Sequence, residues 1–177
     1  MSNPGILIPV KYTIPSMIST KGLLFFLSHL LLLFTACGPD VLLDTEHSLP
    51  ENGWSQTDTL TFRFEITDTL ALYDIYLTAE HETSYPNQNF YVRVFTEFPN
   101  GALLDQTLSL ELAGAAGRWY GDCNDEQCDF EVAVQRNAFF NQYGEHRIRV
   151  VPYVRRELVP EIESFGIRVE VSDDRRK

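Results

Sequence analysis

Three groups of side chains in this 177-residue sequence have chemistry to offer. The first is Cys37, which follows Thr35-Ala36 at the end of the apolar run Leu23 to Phe34. A cysteine placed there reads as a bacterial lipobox, in which the residue is lipidated and becomes the first of the mature protein. The second is the pair Cys123 and Cys128, within Gly121-Asp-Cys-Asn-Asp-Glu-Gln-Cys-Asp129. The third is the set of histidines and carboxylates from which any hydrolytic site would have to be drawn.

The signal reading rests on three parts in order. Lys11 and Lys21 lie before the apolar run, no Asp or Glu precedes Asp40, and small residues close the run. A transmembrane anchor is the first alternative, but the run is twelve residues with Ser28 and His29 inside it. A spanning helix takes about 20 apolar residues. An ordinary cleaved signal with an incidental Cys37 is the second, and Phe34 stands three before the cysteine where Leu is usual. The expectation is a signal peptide over 1–36 and lipid on Cys37, with Met17 as a second candidate start. The protein then works on a membrane surface outside the cytoplasm.

Without residues 1–36 the chain has 141 residues, enough for one domain with a real core. The two lysines removed take the net charge from −11 to −13. So acidic a surface argues against nucleic acid and anionic headgroups as partners. It suits a domain held at the membrane by acyl chains, each buried methylene contributing about 0.8 kcal/mol.

With Cys37 lipidated, Cys123 and Cys128 are an even pair in an oxidising compartment, and the expectation is a disulfide between them. A calcium or zinc site is the alternative, because Asp122, Asn124, Asp125, Glu126 and Asp129 crowd the loop. The spacing lacks the EF-hand Gly and terminal Glu, and two cysteines alone make weak zinc ligands.

Catalysis finds little support. His47 lies in the expected tether, His81 beside Glu82 in an expected loop, and His146 in a strand pattern. Neither a metalloprotease motif nor a phosphate-binding glycine loop is present. No catalytic residue, metal ligand or cofactor is expected. Arg147, Arg149, Arg155, Arg156 and Arg168 concentrate positive charge on an acidic chain. Of these, Arg147, Arg149 and Arg168 are the candidate partner-binding residues. Trp54, Trp119, Tyr120, Tyr85 and Tyr91 open a second reading, a glycan-binding face that stacks sugars on aromatics.

The elements that must position these groups read as strands. Leu60, Phe62, Phe64 and Ile66 alternate with Thr61, Arg63 and Glu65. The same period of two recurs at Tyr73–Leu77, Phe90–Val94, Leu104–Leu112, Phe130–Val134, Glu145–Val151 and Phe165–Val171. Pro99-Asn100-Gly101 marks a tight turn. No comparable window holds a helical period. The fold class is all-β: an antiparallel β-sandwich of seven to eight strands, jelly-roll or immunoglobulin-like. The expected layout is signal 1–36, lipid-anchored tether 37–57, sandwich 58–172 and charged tail 173–177.

The order of short motifs adds a family. Leu49-Pro50-x-x-Gly53-Trp54 is followed by Phe62-Arg-Phe64-x-Ile66-x-Asp68, Tyr73-Asp-Ile-Tyr76 and Tyr85-Pro86-x-x-Asn89. Phe98-Pro99-Asn-Gly101, Gly117-Arg-Trp119-x-Gly121 and Gly166-Ile-Arg-Val-Glu170 complete the series. This series, behind a lipobox, resembles the GldH family of gliding-motility lipoproteins from Bacteroidetes. The insert with Cys123 and Cys128 lies outside the family pattern, and Arg155 to Ile162 matches it loosely. The resemblance implies a non-enzymatic outer-membrane lipoprotein. Its partners would be other gliding-motility and envelope lipoproteins and outer-membrane components, with the periplasmic face favoured.

Overall fold

The computed structural model describes residue 38 and residues 40–175. Residues 1–36, expected to be a signal peptide, and Cys37 lie outside the described residues. Eleven strands follow one another: β1 (Val41–Ser48), β2 (Trp54–Ser55), β3 (Leu60–Ile66), β4 (Ala71–Glu82), β5 (Asn89–Glu97), β6 (Leu103–Glu111), β7 (Asp122–Cys123), β8 (Gln127–Ala138), β9 (Gly144–Pro152), β10 (Leu158–Val159) and β11 (Ile162–Arg175). They form a five-stranded sheet, β1-β11-β4-β8-β7, and a four-stranded sheet, β3-β9-β5-β6, with β2 and β10 paired apart. Every ladder is antiparallel. The eight long strands interleave between the sheets in the two-Greek-key order of a jelly roll, which settles the choice the periodicity left open.

Each sheet has one apolar face. Phe62, Phe64 and Ile66 of β3 meet Phe90, Val92 and Val94 of β5 and Ile148 and Val150 of β9 in the core. Tyr73, Leu77, Phe130, Phe165, Ile167 and Val169 close it from the five-stranded sheet. Trp54 is fully buried, its ring 5.2 Å from Phe165 and 6.0 Å from Phe90. Its indole N–H donates to the Asp58 carbonyl at 2.8 Å, as a buried donor must. Gly101, at φ 81°, closes the Phe98–Ala102 turn that joins β5 to β6.

Three segments differ from expectation, the shortest being Trp54–Ser55, which lies in the expected tether and forms β2. Residues 41–48, expected in the tether, form β1 and pair with β11 from Glu170 to Ser164. The alternation there is Leu43, Thr45, His47, and only the first is strongly apolar, so the pattern was weak. Within the expected tail, residues 173–175 continue β11, with Arg175 opposite Ala71. Ladder hydrogen bonds are made by the backbone and do not require apolar side chains.

Candidate partner-binding site

Period-two geometry sends alternate residues of β3, β5, β6 and β9 out of the four-stranded sheet. The outward set includes Arg63, Arg93, Arg147 and Arg149, interleaved with Glu65, Glu97, Asp105 and Glu145. Arg63 and Arg147 stand directly opposite in the β3–β9 ladder, a repulsive pairing unless carboxylates intervene. They do: Arg147 pairs with Glu97 at 3.1 Å and Glu145 at 3.4 Å, and Arg63 with Glu145 at 3.7 Å. Arg93 donates twice to Asp105, at 2.8 Å and 2.5 Å, and those hydrogen bonds hold the Asp105 carboxyl below its ordinary range.

Arg149 is the exception. Its register partner on β5 is Phe95, and its guanidinium lies 5.4 Å from that ring, with Arg93 5.0 Å from the same ring. Among the described residues no carboxylate is within ion-pair distance of Arg149, and its Nε is buried with no hydrogen-bond partner. A cation between aromatic and arginine neighbours, with donors unspent, is the composition of an interface hot spot.

The structure does not bring Arg168 to this face. Arg168 points out of the five-stranded sheet, over the Tyr76 ring at 4.1 Å, bonded to Glu131 at 2.8 Å and to Glu170. Burial alone would lower its pKa; the hydrogen bond and charge of Glu131, with Glu170 and Tyr76, leave it raised. That outer face is acidic. Glu80 has its carboxyl pushed up by burial and by the charges of Glu163, Asp129 and Glu46. The two sheets therefore present different outer surfaces, one charge-balanced and arginine-bearing, the other acidic.

Cys123 and Cys128 face each other in the β7–β8 ladder and are joined, S–S 2.06 Å. Asn124 Oδ1 accepts from the N–H groups of Glu126 and Gln127, both at 2.8 Å, and Thr83 Oγ1 donates to the Asp125 carbonyl at 3.0 Å. The loop is thus tied to the end of β4. Among the described residues no group of three or more His, Cys, Asp or Glu is placed to hold a metal.

All three described histidines turn inward. His47 packs edge-on to Phe62, ring centroids 5.0 Å apart. His81 lies in β4, not in a loop, fully buried with Trp119 at 4.8 Å. His146 is fully buried, stacked on Phe64 and edged by Phe98 and Phe140, and its Nδ1 donates to the Gly144 carbonyl at 3.1 Å. Burial pushes its pKa down, the carbonyl opposing. The Nε2 of each is buried without a hydrogen-bond partner. None is set to act as a base toward solvent.

The aromatics singled out in the sequence separate. Trp54 is core, Trp119 is half-buried against it, and Tyr120 stands exposed elsewhere. Tyr85 and Tyr91 do converge, in a groove of about 660 Å³ that Tyr153 and Glu161 also line. Sequence reasoning missed both of the latter. The groove is walled by residues 153–161, held where β10 pairs with β2 and where the Gln56 side chain donates to the carbonyls of Val154 and Arg156. Gly53, at φ 104°, lets that wall close, since a Cβ there would lie 2.7 Å from the Val159 carbonyl oxygen.

The family model described as GldH lipoprotein matches residues 41–169. A gliding motility lipoprotein GldH homolog from Christiangramia forsetii is 21% identical over 151 residues, covering 81% of this chain and 92% of that protein. The gliding motility lipoprotein GldH of Flavobacterium johnsoniae is 22% identical over 163 residues, covering 88% and 99% respectively. Among solved structures, dimeric latent PorU from Porphyromonas gingivalis aligns with 77% of this chain and 14% of its own, at 10% identity and TM-score 0.27.

Proposed function

This chain belongs to the GldH lipoprotein family, and from that membership we propose that it serves surface gliding as a lipid-anchored, non-catalytic docking component of the motility machinery. Cys37 carries the acyl chains and holds the jelly roll at the outer membrane, on its periplasmic face. The partners are other envelope lipoproteins and outer-membrane components.

The observation that carries the docking role is Arg149 on Phe95, in a sheet face whose other arginines are matched by carboxylates. Charge excess on the opposite sheet repels acidic surfaces and leaves this face as the one a partner approaches. A partner carboxylate reaching Arg149 meets a cation already positioned by its stacking, so little side-chain freedom is lost on binding. The buried histidines fit the absence of chemistry in this role. Deleting the gene in a gliding host tests it: the null strain should form non-spreading colonies, and spreading should return with the intact gene. Normal spreading of the null strain would remove the motility role.

A further inference from the structure

We propose that the groove walled by residues 153–161, at the end of the arginine-bearing sheet face where Tyr91 follows on from Arg93 along β5, is a binding site for a neutral saccharide chain, independent of the motility role. Sugar rings offer two kinds of surface: a patch of C–H bonds that packs on aromatic rings, and a rim of hydroxyls. The groove offers partners for both.

Tyr91 and Tyr153 supply the aromatic part. They are 42% and 57% exposed, and adjacent, since the Tyr153 N–H donates to the Tyr91 carbonyl at 2.8 Å. The Tyr91 ring is fixed from below, because Asn89 Nδ2 donates to its hydroxyl at 2.9 Å and to Ser109 Oγ at 3.3 Å. A ring held this way loses little entropy when it stacks. Tyr85 is buried at the groove.

Glu161 supplies the hydroxyl part. It has φ 62°, a left-handed conformation that costs a side-chain-bearing residue about 1–3 kcal/mol. Its Oε2 is buried and accepts no hydrogen bond among the described residues. Strain and an unmet acceptor at one position, in a groove beside exposed aromatics, are the marks of a residue kept for a ligand rather than for the fold. A carboxylate oxygen accepts a hydrogen bond from a sugar hydroxyl. Arg155 and Arg156 line the same groove and bring donors to it. The net charge of −11 disfavours a polyanion, so the chain bound is an uncharged one.

The test is affinity electrophoresis of the full-length lipoprotein in nonionic detergent, through gels containing dextran, yeast mannan, xyloglucan or arabinogalactan, with alginate as the polyanion control. At least one neutral polymer should retard the protein. Tyr153→Ala and Glu161→Gln should each weaken that retardation about tenfold in apparent Kd, a change of about 1.4 kcal/mol. Glu161→Gly separates binding from folding, because it relieves the left-handed backbone while removing the carboxylate. Its thermal midpoint should hold or rise while retardation is lost. Retardation by no neutral polymer, by alginate alone, or equally in the three variants would overturn the proposal.

Discussion

Arg149 and Phe95 are direct cross-strand partners in the β9–β5 ladder, and the guanidinium sits 5.4 Å from the ring centroid with no carboxylate among the described residues to neutralise it. A half-exposed cation on an aromatic face contributes about 0.5–1 kcal/mol. Arg149→Ala should therefore cost no more than about 1 kcal/mol in chemical denaturation. A loss of several kcal/mol would mean that the residue is a structural strut and not a docking group.

The Cys123–Cys128 bridge closes a loop with a sequence separation of 5, so its effect on the unfolded chain is small. Replacing both with serine should lower stability by about 2 kcal/mol in the chain-entropy model. Protein isolated from the envelope without reductant should yield both cysteines in one linked peptide. Free thiols at both positions, or a bound metal, would contradict the pairing in the cell.

His146 makes stability pH-dependent. Its unfolded value is the ordinary 6.5 and its folded value is lower, because burial among Phe64, Phe98 and Phe140 disfavours the charged ring. The unfolded chain then binds more protons below pH 6.5, so stability is constant above that value and declines as pH falls toward the folded pKa. Glu80, raised in the fold, acts in the opposite sense at lower pH, so the comparison must isolate the histidine. Between about pH 7.5 and 5.5 the wild-type midpoint should drop further than that of His146→Leu. Parallel curves would show that the fold does not lower the pKa of His146.

Most long strands were legible because aromatic and β-branched residues alternate without a break, as at Phe62-Phe64-Ile66 and Phe165-Ile167-Val169. β1 escaped because Thr45 and His47 occupy inward positions where the pattern calls for apolar residues. His81 escaped for the same reason at the end of β4. The arginines were visible as charge, but charge does not reveal which sheet a strand joins: β9 and β11 are near in sequence and lie in different sheets. Glu161 carried no signal, since a left-handed glutamate between Pro160 and Ile162 depends on the β10–β2 pairing that fixes it.

Lipidation of Cys37 is the premise of the membrane assignment. Cys37→Ser should abolish incorporation of labelled fatty acid and move the protein from the detergent phase to the aqueous phase. Label retained on the serine variant would show that another residue is acylated, and detergent-phase partitioning without label would point to a transmembrane segment.

The most direct test of the docking account is colony spreading of a null strain complemented with Arg147→Glu/Arg149→Glu, alongside a control complemented with Arg168→Gln. The double reversal should fail to restore spreading while its envelope abundance and circular-dichroism spectrum stay near wild type. The Arg168 variant, on the opposite sheet, should restore it. Full spreading with the double reversal, or loss in both strains alike, would contradict a docking role for the β3-β9-β5-β6 face.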